Sequence, residues 1–388
     1  MNRYPPAVLA TAFATFVAFL GIGVVDPILP VIGEQMGATP AEIELLFTSY
    51  LAIMAVAMLA SGALSTRLGG KKTMLAGLAI VAIAAALCAA APSVTFLAVV
   101  RGGWGFGNAL FTATALSIIV GLMSGGSARA IRLYEAALGL GIATGPLLGG
   151  FLGSISWRLP FAGTAVLMAV AFVSTRMTVD DSETPDEHDA SARDILAALK
   201  NRPVFLNALV GLAYSYGFFT ILAYSPLTLE GLSAISLGIT YFFWGGLVAI
   251  ASVVIVSYLG RYFESTTILL ADLVAMTGIL LAAGFAEGST LLIVIVASGL
   301  FCGIANAQFT TFAIEVSPFS RSVSSGAYNF LRWAGAAIAP VLAGIVGHTY
   351  GPHVPFFIAA VIMAVGALGL WTKSGTFSTA AATSSPAD

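Results

Sequence analysis

Between residues 7 and 372 the chain repeats one pattern about twelve times: roughly twenty apolar residues, then a short break. At about 1.5 Å per helical residue, each run can cross the ~30 Å hydrocarbon core of a bilayer. Composition agrees, with 59% hydrophobic and 9% charged residues and a mean hydropathy of +0.97. Soluble domains carry about 25% charged residues. The sequence therefore predicts an all-α membrane protein, because in lipid each segment must satisfy its own backbone. The spans fall at 7–30, 42–66, 73–91, 93–121, 129–153, 156–176, 204–229, 234–259, 266–285, 289–316, 322–347 and 354–372. The first run is too long for a signal-peptide core and has no convincing cleavage region, so it counts as a span.

Basic residues set the orientation. With the N-terminus inside, the cytoplasmic side receives Arg3, Arg67, Lys71, Lys72, Arg129, Arg132, Arg176, Arg193, Lys200, Arg202, Arg261, Arg321 and Lys373, and the outer side receives Arg158 alone. This predicts a protein integral to the cytoplasmic (inner) membrane with both termini cytoplasmic. Cys88 and Cys302 fall within spans, which argues against a disulfide framework.

Several function classes lose support at this point. The net charge is −2 and the basic residues are spread over loops, so no nucleic-acid footprint exists. Enzyme chemistry has no home: the cytoplasmic loops are too short for a catalytic domain, and no Gly-rich phosphate loop ends in Lys-Ser/Thr. His348 and His353 flank the outer end of span eleven at a spacing that suits no helical metal pair, so no metal or other cofactor is expected beyond a coupling proton.

One long polar break, Thr178–Pro203, contains "VDDSETPDEHDASARD" and reads as a cytoplasmic linker. It divides the chain into an N-terminal bundle (1–177), the linker (178–203), a C-terminal bundle (204–373) and a cytoplasmic tail (374–388). The two bundles echo each other. Span five reads "LYEAALGLGIATGPLLGGFLG" from Leu133, and span eleven reads "AYNFLRWAGAAIAPVLAGIVG" from Ala327. Without a gap Tyr134 matches Tyr328, Gly141 matches Gly335, Pro146 matches Pro340, and Gly150 matches Gly344. A second echo pairs "GNALFTAT" with "ANAQFTTF" and sets Asn108 opposite Asn306. Two parallel six-helix halves of this kind place a polar pathway at their interface near the bilayer midplane.

Four motifs then resemble the major facilitator superfamily, in its twelve-helix proton-antiporter drug-efflux branch. They are "LGIGVVDPILP" in span one, "GALSTRLGGKK" between spans two and three, "RGGWGFGNA" in span four, and "GIATGPLLGG" in span five. The loop motif keeps Gly62, Arg67, Gly69, Lys71 and Lys72, with Thr66 where the family pattern has an aspartate. Trp104 replaces a glutamine in the span-four pattern, and Arg132 replaces a glycine ahead of the span-five signature. The resemblance implies a fold of two pseudo-symmetric six-helix bundles and a monomer embedded in membrane lipid. It also implies export of small hydrophobic or amphipathic compounds against protons.

Charges inside spans cost about 2.5–3.5 kcal/mol each on insertion scales, so each asks for a partner or water. Glu135, just inside span five, is the first candidate for proton coupling, since a carboxyl withdrawn from water holds its proton more readily. An ion pair with Arg132 or Arg129 is the competing reading. Asp26 beside Pro27 is the second candidate, against an interfacial carboxylate that snorkels or caps a freed backbone. Arg101 would assist proton transfer by resemblance, or serve as a structural partner. Arg332 in span eleven has no charged counterpart in span five and is a candidate for substrate contact. Asp272 and Glu315 read as interface anchors.

Asn108, Asn306, Asn329, Tyr328, Trp104, Tyr214 and Trp244 complete the candidate substrate cavity, since aromatic and amide side chains suit a large, mostly apolar pocket. Gly141, Gly145 and Gly149 lie four residues apart, and with Pro146, Gly150 and Pro340 they form candidate gating and packing surfaces. The expected neighbour of the stripe is span eight, which carries Gly238, Gly245 and Gly246. Two other readings stand beside drug export: a carrier of a sugar, amino acid or other small metabolite, and a non-transporting sensor or scaffold.

Overall fold

Twenty-residue apolar runs cannot leave backbone groups unpaired in lipid, and they become helices. The computed structural model describes residues 4–123, 127–180, 192–229, 231–319 and 321–373. Twelve helical spans cover Pro6–Met36, Pro40–Leu68, Gly70–Ala89, Val94–Leu122, Ser127–Gly153, Arg158–Thr178, Arg202–Thr228, Ala234–Leu259, Ser265–Phe285, Gly288–Glu315, Arg321–Tyr350 and Val354–Thr372. They match the twelve expected runs, with longer ends where polar residues cap the helices. Thr39 and Glu42 close the start of span two with a capping box.

Three spans are not uniform α-helix, span eight among them with a π-helical turn at Ala251–Ile255. Span one passes through a 3-10 turn at Asp26–Ile28, where Pro27 removes a donor. Span seven loosens into a π-helical turn at Thr220–Tyr224 and then tightens into a 3-10 turn at Ser225–Thr228. Such interruptions free backbone groups and are common at functional positions.

Helix pairing follows the internal repeat. In the first half span one packs on five and six, three on four and six, and two on four; in the second half seven packs on eleven and twelve, nine on ten and twelve, and eight on ten. Each pairing recurs six spans later, as the internal repeat predicts. The halves meet through spans five and eight and through spans two and eleven. Below, the near end is the one where span one begins and span twelve ends, and the far end lies opposite.

Most of the acidic part of the linker lies outside the described residues, and the stretch after it forms a short helix, Ala192–Ala198. Ile195 and Ala198 bury against Val204, Val323 and Ala327, with Leu59 of span two beside them. Cys88 and Cys302 are buried and free.

Candidate functional site

The glycines of span five define how the halves meet. The sequence reading sets the stripe of Gly141, Gly145 and Gly149 against span eight; the structure sets it against span one. A Cβ on Gly141 would clash with the Phe16 carbonyl, and one on Gly145 would lie 2.6 Å from the Leu20 carbonyl oxygen. Gly150 is the residue that meets span eight: a Cβ there would clash with the Ala234 carbonyl and sit 3.0 Å from Gly238 Cα. One residue turns the helix by about 100°, so Gly149 and Gly150 serve different neighbours. The repeat holds in space as well. Gly335 abuts Leu212 of span seven, and a Cβ on Gly344 would sit 3.0 Å from Ala41 Cα of span two. Pro146 and Pro340 both lie inside their helices, and a Cβ on Gly238 would lie 2.6 Å from the Pro146 carbonyl oxygen.

In the first half, Arg101 is fully buried. Its guanidinium lies 4.6 Å from the ring centre of Tyr50 and 4.7 Å from that of Trp104, a geometry worth about 2 kcal/mol when desolvated. Nε donates to the Leu46 carbonyl at 3.3 Å, while neither terminal nitrogen has a hydrogen-bond partner. Asn108 Nδ2 donates to the Tyr50 hydroxyl at 2.6 Å. Trp104 therefore does not line space: it is fully buried and packs edge-on to Phe161 of span six. Its face is taken by the arginine.

In the second half, Arg332 Nη2 donates to Asn306 Oδ1 at 2.7 Å, and the Tyr214 hydroxyl lies 3.0 Å from the same oxygen. The Tyr214 hydroxyl also reaches the Cys302 carbonyl at 2.9 Å. Phe309 stacks between Tyr214 and Tyr328, with ring centres 5.3 and 6.0 Å away. Trp244 is fully buried, and its Nε1 donates to Ser298 Oγ at 3.0 Å. Arg332, Asn306 and Asn329 are half-buried, but Asn329 stands apart, donating to Ser325 Oγ at 3.1 Å on its own helix. The structure thus joins Arg332, Asn306, Tyr214 and Tyr328 into one cluster and keeps the Arg101–Asn108 pair in the other half.

At the near end Arg67 and Lys72 are exposed and Lys71 is half-buried. Gly69 makes the whole turn between spans two and three with φ +88°, a conformation that favours glycine. The surroundings of Gly62 and of the Thr66 and Glu135 side chains lie outside the described residues.

Asp26 and Asp272 depart from the interfacial readings. Asp26 is fully buried and Asp272 is 4% exposed, and no carboxylate oxygen of either has a hydrogen-bond partner. Glu44 shares this condition and escaped the sequence reading, because it sits in the first turns of span two, where a carboxylate normally reaches water. Its signal is positional: Glu42 is committed to the Thr39 cap, and two residues on the helix turns to its opposite side. Arg158 has a plain structural use, donating through Nη1 to the Ala89 and Ala91 carbonyls at the end of span three at 3.0 and 2.9 Å. Among the described residues no group of three His, Cys, Asp or Glu could hold a metal ion.

Comparison with known proteins closes the assignment. The family model described as Major Facilitator Superfamily matches residues 11–340. The chain is 42% identical over 368 residues to the multidrug efflux protein YfmO of Bacillus subtilis (strain 168), covering 94% of this chain and 92% of that protein. It is 24% identical over 367 residues to the quinolone resistance protein NorA of Staphylococcus aureus, covering 91% and 92%. A crystal structure of a bacterial homologue of the human lysosomal transporter Spinster, inward-facing and occupied, superposes with a TM-score of 0.77 at 18% identity over 98% of both chains. With twelve spans, a repeated helix pairing and a family match across most of its length, the chain belongs to the major facilitator superfamily of membrane transporters.

Proposed function

We propose that the chain exports small hydrophobic or amphipathic, drug-like compounds in exchange for protons by alternating access. The observation that carries the choice of cargo is the whole-length 42% identity to a protein named for multidrug efflux. The half-buried Asn306 and Arg332, backed by the packed rings of Tyr214, Phe309 and Tyr328, support it, since a few polar groups beside aromatic surface suit varied amphipathic ligands. In this reading the near end faces the cytoplasm of a cell whose inner membrane holds the protein, in keeping with thirteen basic residues on one side of the span plan and one on the other. Asp26 and Glu135 exchange the coupling proton, and Arg101 tunes the first of them electrostatically.

The test is flux in proteoliposomes from a panel of cationic, neutral and anionic compounds under an imposed pH gradient, with Glu135→Gln beside the parent. Gradient-driven efflux of apolar compounds, lost in the variant while binding persists, is the expected result. Flux indifferent to the gradient would sink proton antiport. A second reading, export of an anionic metabolite, is favoured by the half-buried Arg332 held by Asn306; preference for small carboxylates in the same panel would select it.

A further inference from the structure

The far end of the molecule is closed on two sides, and each side carries a buried acid. On one side Gly150 and Gly238 bring spans five and eight into backbone contact, and the Asp26–Ile28 turn packs against span eight. On the other, span two meets span eleven: Thr48 Oγ1 donates to the Ala337 carbonyl at 2.8 Å, and Glu44 Cγ would lie 3.1 Å from a Cβ on Gly344. Glu44 and Thr48 are one helical turn apart, so the acid shares the face that makes the contact between halves.

Neither acid has a hydrogen-bond partner on either oxygen, and both are fully buried. The groups that face them are few. Asp26 and Glu44 interact with each other, and Arg101 interacts with Asp26. Tyr241 of span eight lies in the electrostatic field of both, and Tyr224 of span seven in that of Glu44. Tyr50 and Cys88 share the field of Arg101. The tyrosine hydroxyls are engaged: Tyr241 lies 2.5 Å from Ser225 Oγ, and Tyr224 donates to the Pro352 carbonyl at 3.1 Å. Arg101 is directed at its aromatic rings, not into an ion pair. An ionised carboxylate in such a place is cut off from bulk solvent and has no protein donor, and a second one nearby opposes the first.

We infer that Asp26 and Glu44 form a proton-binding pair that controls the far gate, with Glu44 as a second acid on span two. Both carry their protons while the far end is closed. Opening separates span two from span eleven and span one from span eight and hydrates both acids, and protons taken up there from the outer side let the far end close, the inward proton movement that antiport requires. By linkage, protons that bind the closed form more tightly also stabilise it. The inference rests on the proton-antiport reading and deepens it by naming the acid that the antiport motifs do not contain. It also predicts a countable consequence: the open-to-closed ratio rises up to tenfold per pH unit for each proton released.

The experiment uses the full chain in lipid nanodiscs, with spin labels at exposed Ile155 and Ile235 on the two halves of the far end, and distances measured across a pH series. The logarithm of the open-to-closed ratio should rise with pH at a slope approaching two in the labelled parent. It should approach one in Glu44→Gln and in Asp26→Asn, and zero in the double variant. An unchanged slope in Glu44→Gln, or a flat parent, would overturn the pair. Difference infrared spectra of the unaltered chain provide a reading that needs no variant: a protonated-carboxyl band should disappear as pH rises, and its absence throughout would overturn the proposal. Flux of the parent under a pH gradient separates the two levels. Gradient-driven flux with an unchanged Glu44→Gln slope removes the pair alone, whereas flux indifferent to the gradient removes the antiport reading.

Discussion

Thr48 of span two donates its hydroxyl to the carbonyl oxygen of Ala337 in span eleven at 2.8 Å, across the boundary between the two halves. Under the proposed alternating access the donor and acceptor part when the far end opens. A neutral hydrogen bond is worth about 1 kcal/mol, which is about a fivefold shift in a two-state ratio. Thr48→Val, which keeps the branched shape, should raise the far-open population by about that factor. Distances between labels on spans two and eleven would report it.

Gly150 tests the opposite side of the same gate. Any side chain there meets the Ala234 carbonyl and Gly238, both of them backbone. Gly150→Val should hold spans five and eight apart, favour the far-open form and reduce flux at least tenfold. Gly246→Ala is the control, because a Cβ there meets nothing within 4 Å. Equal flux in the two variants would contradict the assignment of Gly150 to the gate.

Arg332 and Asn306 form the central polar contact of the second half at 2.7 Å. Hydrogen bonds to charged groups contribute about 1.5–3 kcal/mol. A double-mutant cycle with Arg332→Ala and Asn306→Ala, read from thermal unfolding in one detergent, should give a coupling energy of about that size. Additive effects would mean that the contact is not formed in the membrane protein at rest.

Arg101 stacks on Tyr50 and Trp104 through a planar group that lysine does not possess. Arg101→Lys keeps the charge but loses the stacking, so it should lower gradient-driven flux about tenfold or more. Substitution at exposed Arg67 by lysine should leave stability within about 0.5 kcal/mol.

How much of this was legible in the sequence depends on the kind of signal. Span positions were readable because lipid forces each helix to declare itself by about twenty apolar residues. The repeat was readable because Tyr134, Pro146 and Asn108 are rare residue types with matched counterparts. Which helix covers a given face was not readable. Periodicity groups Gly141, Gly145 and Gly149 together, but it does not say that span one covers them and that Gly150 turns to span eight. Burial near span ends was equally silent. Glu44 and Asp272 look like interfacial carboxylates by depth, and only packing shows that Glu44 is turned against span eleven while Glu42 caps the helix. Trp104 looked like a cavity wall until Arg101 was found against its ring.

The central claim is that proton movement drives export. The most direct measurement is efflux of an apolar fluorescent compound from proteoliposomes, with inward and outward pH gradients imposed on the same preparation. The account predicts that efflux accelerates when protons can flow against the direction of cargo, slows when the gradient is reversed, and loses this dependence in Asp26→Asn. Equal efflux under both gradients would contradict it.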